Sequence, residues 1–362
     1  MKQKFLLVAT LAASALLFTA CRIDYMVQIA PGESGTFEKI TDESVETLVP
    51  PADNYKVGGS SIITWRLAQR FDISKDGNIA YLAIRDRNTN IFVQNIKQRG
   101  ASNQRTNRMA VNDVAYSPNG ENICFSEPNL DGTSYLYITN ARQGSVVQQI
   151  SPANACDRQP SYSKDGKHIF FSRFVGNGAS IWSYEIATGN FTMHCNGTNP
   201  VPINNEEFLY SQKNQFGRNE IWLHNFVKGF DTRIVNEVGR SFTTGSVSPD
   251  GKWLLFVSTQ GSKAKVKDNL DIYYMRADGT GGATQLTFHE GHDCSPVWSP
   301  DGKYIYFLSQ RGTERGAFNI WRVDFKAQEN LIDDQYEYTP QRQQEPQKEE
   351  KTNMKLPRRR NN

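Results

Sequence analysis

The sequence predicts an all-β fold, a six-bladed β-propeller of four-stranded blades, because one unit of about 45 residues recurs six times. Each unit begins with a polar turn followed by an apolar run, and the turns are SKDG (74–77), SPNG (117–120), SKDG (163–166), the degenerate PINN (202–205), SPDG (248–251) and SPDG (299–302). An aliphatic–aromatic pair repeats at the same period, as Ile91-Phe92, Leu136-Tyr137, Ile181-Trp182, Ile221-Trp222, Ile272-Tyr273 and Ile320-Trp321. Units of this length hold about four short strands, which is what a propeller blade requires.

The turn sequences Asp-Gly and Asn-Gly predict tight hairpins, in which both central residues have positive φ. We therefore expect a structural role for the turn residues Asp76, Gly77, Asn119, Gly120, Asp165, Gly166, Asp250, Gly251, Asp301 and Gly302. The apolar runs that follow, such as YIYFL (304–308), are typical of strands covered on both faces. The propeller is predicted to span 60–325.

The last unit lacks material for its outer strand, since only residues 322–325 follow Trp321 before the composition changes. Two upstream segments have the composition of a strand, TFEKIT (36–41) and SSIIT (60–64). The sequence therefore predicts that an N-terminal strand closes the ring, which leaves no open sheet edge.

The N-terminus has the pattern of an export signal, with Lys2 and Lys4 followed by a weakly polar or apolar run over 5–20. This run is too short to span a bilayer and predicts a signal peptide over 1–20. Cys21 follows Thr19-Ala20 in a pattern that resembles a bacterial lipobox, so we expect Cys21 to be lipidated and 21–59 to form a linker. The alternative is a simple signal-peptidase site beside an incidental thiol.

The charge distribution excludes one class of partner and defines a tail. Basic and acidic residues balance over 21–325, whereas nucleic-acid binding needs a dense positive face, so no nucleic-acid partner is expected. Residues 326–362 are rich in Gln, Glu, Lys, Arg and Pro without apolar periodicity, and they are predicted to be a disordered tail.

The sequence does not predict catalysis, a metal or another cofactor. It contains no GxSxG nucleophile motif. His289 and His292 lie in one loop with Glu290 and Asp293, which leaves a zinc site open as an alternative to a structural polar loop. Cys156 and Cys195 flank one repeat and either pair or stay free.

The register of the repeat places four polar residues where inner strands begin: Asp157, Arg158, His292 and Asp293. Side chains at this position are expected to face one end of the central channel. We therefore predict that these four residues contribute to a face that binds a partner or ligand. The alternative is structural, with each aspartate accepting hydrogen bonds from backbone N–H groups of the adjacent loop.

The repeat SPDGKxIxF, together with GHDCSPVW (291–298) and DIYYMRADGTGGATQLT (271–287), resembles the repeats of TolB-type β-propellers. The resemblance implies a non-catalytic protein-interaction module of the bacterial outer-membrane envelope. The Cys21 pattern implies that an acyl anchor attaches it, with the periplasmic side expected and exposure at the cell surface as the alternative. The implied partners are envelope proteins, such as a peptidoglycan-associated or OmpA-like lipoprotein or a secretion machine. Two alternatives stay open: a cell-surface propeller that binds or processes glycans, and a metal-dependent lyase or hydrolase.

Overall fold

A computed structural model describes residues 29–45, 71–98, 101–144, 147–235, 241–259, 269–312 and 317–326. It confirms the six-bladed propeller, because these residues form six four-stranded antiparallel sheets. The predicted signal peptide, Cys21, SSIIT (60–64) and residues 327–362 of the predicted tail lie outside the described residues. Within the described part of the chain, no helix has the length and apolar character needed to cross a bilayer.

Each of the first five blades is one continuous stretch of chain, with its strands in sequential order. The strands are numbered β1 to β24 in chain order, and blade 1 comprises β2 (Phe71–Ile73), β3 (Asn78–Arg85), β4 (Asn88–Asn95) and β5 (Asn103–Gln104). Blade 2 comprises β6 (Asn112–Tyr116), β7 (Asn122–Pro128), β8 (Ser134–Asn140) and β9 (Val147–Gln149). Blade 3 comprises β10 (Asp157–Tyr162), β11 (His168–Val175), β12 (Gly178–Glu185) and β13 (Phe191–Asn196).

Blade 4 comprises β14 (Thr198–Pro202), β15 (Glu207–Lys213), β16 (Asn219–Asn225) and β17 (Phe230–Val235). Blade 5 comprises β18 (Phe242–Val247), β19 (Trp253–Thr259), β20 (Leu270–Arg276) and β21 (Thr284–Gln285). Blade 6 comprises β22 (Asp293–Trp298), β23 (Tyr304–Ser309), β24 (Asn319–Asp324) and, as its outer strand, β1 (Phe37–Lys39).

Strand β1 confirms the prediction that an N-terminal strand closes the ring, and it comes from the segment TFEKIT (36–41). It pairs antiparallel with β24, with Phe37 opposite Val323 and Lys39 opposite Trp321. Two further backbone hydrogen bonds extend the contact, from the N–H of Ile40 to the Ile320 carbonyl at 2.8 Å and from the N–H of Val45 to the Phe318 carbonyl at 2.8 Å. The first and last parts of the propeller are therefore joined in one sheet.

A buried charge network reinforces this closure. The Arg311 guanidinium donates to both carboxylate oxygens of Glu33, at 3.1 and 2.8 Å, and to Asp293 Oδ2 at 2.7 Å. All three side chains are 0% exposed. The guanidinium also lies 4.5 Å from the ring centroid of Phe37. A cation therefore links the segment before β1 to the start of β22.

The turns differ from the predicted geometry in one respect. In the turns of the repeated motif the glycines, such as Gly77 (φ 76°) and Gly302 (φ 70°), have positive φ, and the preceding Asp or Asn does not. The prediction of two positive-φ residues was therefore wrong. The Gly302 N–H donates to the Ser299 carbonyl at 2.9 Å, and Asp301 Oδ1 accepts from Ser299 Oγ at 2.7 Å. This is a type I turn followed by a left-handed glycine, in which the aspartate accepts hydrogen bonds.

The core lies between neighbouring blades, where the apolar faces of successive sheets meet. Ala80 and Leu82 of blade 1, for example, pack in one cluster with Val114 and Phe125 of blade 2. The fifth residue after the last residue of each turn motif is buried in every blade. These residues are Leu82, Phe125, Phe171, Tyr210, Phe256 and Phe307. The repeated apolar column of the sequence therefore corresponds to packing between blades.

Candidate functional site

The central channel opens into a cavity of about 380 Å³ at the end where the inner strands finish. Residues from all six blades line it, including Ile73, Tyr116, Tyr162, Pro202, Val247 and Trp298. We call this cavity, together with the turn residues at its rim, the channel mouth. It is the place where all six repeats contribute to one concave surface.

The residue at the second position of each turn motif determines whether that part of the rim is apolar or charged. Pro118, Pro249 and Pro300 occupy it in three blades, whereas blades 1 and 3 have Lys75 and Lys164. A proline there is apolar and rigid, while a lysine adds a flexible positive charge. The two lysines therefore give the channel mouth a cationic character on one part of an otherwise largely apolar rim.

Asp72 is an acidic residue that lines the same cavity. Its carboxylate accepts hydrogen bonds from the N–H of Tyr116 at 2.7 Å and from its neighbour Ile73 at 2.8 Å. Burial raises the pKa of Asp72 to about 6, although these N–H groups and the positive charge of Lys164 act in the opposite direction. Burial lowers the pKa of Lys164, and Asp72 opposes that shift. The two groups therefore interact electrostatically across the wall of the cavity.

The raised pKa of Asp72 predicts a pH dependence of stability. The native state favours the protonated carboxyl, so this contribution is fully present below the unfolded pKa of 3.8 and is lost as the pH rises through about 6. Between pH 4 and pH 7.5 the free energy of unfolding should fall by about 2–3 kcal/mol more in the parent chain than in Asp72→Asn. Urea unfolding at both pH values measures this difference, and equal pH profiles of the two proteins would contradict it.

A chain of hydrogen bonds joins four blades around the channel, and the sequence did not predict it. The Gln159 N–H donates to Asp113 Oδ2 at 3.2 Å, and Gln159 Oε1 accepts from the Asn199 N–H at 3.0 Å. The amide of Asn199 in turn donates to Thr244 Oγ1 at 2.7 Å. Asp113, Gln159 and Asn199 have left-handed backbones, with φ of 44°, 56° and 56°. They lie at bulges of the inner strands, which direct these polar groups to the next blade.

Four residues were predicted to form a binding face at one end of the channel: Asp157, Arg158, His292 and Asp293. The two aspartates of this set are fully buried. Asp157 binds the Arg173 guanidinium through both oxygens, at 2.7 and 2.8 Å, and accepts a hydrogen bond from Ser151 Oγ at 2.7 Å. Asp293 binds Arg311 as described above. Each aspartate therefore pairs with an arginine of its own blade.

The other two predicted residues remain partly accessible. His292 Nδ1 accepts a hydrogen bond from the Leu270 N–H at 3.2 Å, and the Arg158 guanidinium lies 5.7 Å from the ring centroid of Phe174. Neither residue lines the channel mouth, and neither do Asp157 and Asp293. Their role as a binding face stays a prediction, with only Arg158 and His292 available to contact a partner.

The loop over 289–293 does not bring together a set of metal ligands in the described residues. His289 is buried, and its Nδ1 accepts from the Gly291 N–H at 2.9 Å. The group that does converge is Cys195, His224 and Asp231, from blades 3 and 4. Cys156 and Cys195 are both free thiols in this structure. The cluster had no signature in the sequence, because its members belong to different repeats.

The fold and the repeat define the chain as a β-propeller of the type built from SPDGK repeats. Residues 70–267 match the family described as the TolB beta propeller domain. The match covers more than half of the chain, so the chain belongs to this family.

Relatives with curated descriptions match part of the chain. An uncharacterized protein of Agrobacterium fabrum is 31% identical over 184 residues, which cover 49% of this chain and 58% of the relative. The Tol-Pal system protein TolB of Francisella tularensis is 27% identical over 178 residues, which cover 49% of this chain and 38% of the relative. The chain therefore spans about half the length of the curated relatives it matches.

Solved structures show the same fold at low identity. TolB from Acinetobacter baumannii superposes with a TM-score of 0.56 and 18% identity, over 69% of this chain and 64% of that chain. An oligogalacturonate lyase from Vibrio parahaemolyticus superposes with a TM-score of 0.52 and 12% identity, over 81% of this chain and 98% of that chain. The fold is thus shared by a Tol protein and by an enzyme, so function has to be argued from the site.

Proposed function

We propose that this chain is a non-catalytic interaction module of the bacterial outer-membrane envelope, anchored through Cys21 and facing the periplasm. Its channel mouth binds a segment of a partner protein. The observation that carries the proposal is the combination of a cavity of about 380 Å³, shared by six blades, with Lys75 and Lys164 at two of the turn positions. The family match and the Tol-Pal relative support an envelope partner.

The chemistry of the channel mouth favours a protein segment as the ligand. Proline, valine and aromatic side chains supply an apolar, rigid wall, and the lysines supply charge at the rim. An extended loop that carries apolar side chains and one carboxylate would satisfy both features, since the carboxylate could pair with Lys164. A peptidoglycan-associated or OmpA-like lipoprotein is the partner we propose to supply such a loop.

Charge reversal at Lys164 is expected to weaken partner binding at least tenfold, because a carboxylate there repels the acidic group that the lysine attracts. The full chain is expressed in its native cell with a photo-crosslinking amino acid at Lys75. Crosslinked proteins are then identified by mass spectrometry, in the presence and absence of Lys164→Glu. We expect a peptidoglycan-associated or OmpA-like protein to be captured, and its yield to fall in the variant.

Lys252 provides the matched control. It lies in the turn of blade 5 and is exposed, but it does not line the channel mouth. Lys252→Glu should leave capture unchanged, and a crosslinker at this position should not yield the same partner. Equal capture from both positions would contradict the proposed site.

The membrane anchor is tested separately. In Cys21→Ala, capture of a partner attached to peptidoglycan or to the outer membrane should decrease, because the chain is released from the membrane surface. Labelling with a radioactive fatty acid should also be lost. Persistent membrane attachment of Cys21→Ala would contradict the anchor without affecting the channel-mouth result. Capture of a nutrient receptor or affinity for oligosaccharides would favour the glycan alternative.

A further inference from the structure

Three potential metal ligands meet at the junction of blades 3 and 4. Cys195 belongs to β13, His224 to β16 and Asp231 to β17. One ligand atom from each lies within 4.8 Å of the other two. We call these residues the interblade cluster. It is separate from the channel mouth, since none of its members lines that cavity.

The interblade cluster is already ordered by hydrogen bonds. His224 Nδ1 and Asp231 Oδ1 are 2.9 Å apart, and the Tyr210 hydroxyl donates to the same oxygen at 2.9 Å. Tyr210 also shares a side-chain hydrogen bond with Cys195. His224 is 5% exposed, whereas Cys195 and Asp231 are partly exposed, so the site can be reached from solvent.

Aromatic rings fix the imidazole of His224 in place. The ring of Phe208 lies 5.0 Å from it and that of His194 lies 6.0 Å from it, measured between centroids. A ligand held by packing loses little rotational freedom when a metal binds. The cluster thus combines oriented donor atoms with an accessible side, which a metal-binding site requires.

We propose that the interblade cluster is a Zn²⁺ site that links blade 3 to blade 4. Thiolate, imidazole and carboxylate are ligands that Zn²⁺ prefers, and a fourth position is left for water or for the Tyr210 oxygen. Cys195 binds as the thiolate and releases its proton to solvent, so the two anionic ligands neutralise the ion. This neutrality favours the complex in a site that is half-buried.

The distances agree with this assignment after small side-chain movements. Zn–S bonds of about 2.3 Å and Zn–N or Zn–O bonds of about 2.0–2.1 Å place tetrahedral ligand atoms roughly 3.3–3.6 Å apart. The ligand atoms of the cluster lie within 4.8 Å of one another, so shifts of about 1 Å complete the coordination. The hydrogen bond between His224 and Asp231 is then replaced by bonds to the ion.

Metal titration of the purified full chain tests the proposal. After treatment with a chelator, the chain should bind one Zn²⁺ with a Kd tighter than about 1 µM in competition with a chromophoric chelator. Loading with Co²⁺ should give the charge-transfer band of a thiolate ligand. Cys195→Ser should abolish this band, whereas Cys156→Ser, which changes a free thiol outside the cluster, should retain it.

Two further variants separate metal binding from folding. His224→Gln and Asp231→Asn should each weaken Zn²⁺ binding at least tenfold while circular dichroism shows the fold of the parent chain. At a hundredfold excess over Kd, Zn²⁺ should raise the Tm of the parent chain by about 5 °C and leave these variants unchanged. Binding that is absent in the parent chain, or that is equally strong in Asp231→Asn, would overturn the proposal.

Discussion

Replacing Arg311 with methionine is expected to lower the free energy of unfolding by about 3–5 kcal/mol. The change removes the cation that bonds to both Glu33 and Asp293, whose side chains are 0% exposed. Two carboxylates would then lie in the protein interior without a compensating charge, and each must be protonated or hydrated at a cost. Urea unfolding at neutral pH, followed by tryptophan fluorescence, measures the loss.

Arg322→Met is the matched control, since Arg322 also links the N-terminal segment to blade 6. Its ion pair with Glu38 is only partly buried, with side chains 26% and 32% exposed. A pair in that setting contributes about 0–1 kcal/mol. The triple variant Glu33→Gln, Asp293→Asn, Arg311→Met should recover part of the stability, because it removes the unpaired charges as well. Equal losses in Arg311→Met and Arg322→Met would contradict the role of burial.

The second large effect is expected at the strand that closes the ring. Ile40→Pro should destabilise the chain by about 3 kcal/mol or more, because proline removes the N–H that donates to the Ile320 carbonyl and the buried Ile40 side chain is lost too. The comparison with Ile40→Ala, which retains the N–H, isolates the hydrogen-bonding part. Urea unfolding curves of the two variants give both contributions.

Lys39→Pro is the control for the geometry of this pair. N–H groups alternate in direction along an antiparallel strand, so the N–H of Lys39 points away from β24 when that of Ile40 points toward it. Strand β1 is the outer strand of its sheet, and proline is tolerated at such positions. Lys39→Pro should therefore cost less than about 1 kcal/mol. A loss as large as that of Ile40→Pro would show that β1 pairs in a different register.

The repeat allowed the fold to be predicted because it records the packing of one blade on the next. Phe125 and Phe307 recur at the same position of their units, and both are fully buried. The closing strand TFEKIT was one of two predicted segments, and only its pairing with β24 distinguishes it in the described residues. The conformation of the turns was not predictable from Asp-Gly alone, since the pair suits more than one turn type.

The candidate site was less predictable, for a physical reason. Asp157 and Asp293 occupy the same position of their repeats, and each forms an ion pair with an arginine, Arg173 or Arg311. Such an ion pair has the same residue types as a binding face, so the sequence does not distinguish the two. Lys75 and Lys164 could have been noticed in the sequence, since they stand where three of the other turn motifs have proline. The bulges at Gln159 and Asn199 and the interblade cluster depend on contacts between repeats, which one unit does not encode.

Strand β1 also constrains the order in which the protein folds. Glu38 and Arg322, which face each other in the closing pair, are 284 positions apart, whereas each of blades 1 to 5 is contiguous in the chain. At about 5–20 residues per second, synthesis leaves roughly 15–60 s between the two strands. Strand β1 is therefore synthesised long before β24, the strand with which it pairs. Blade 6 is completed only after the whole propeller sequence has been synthesised.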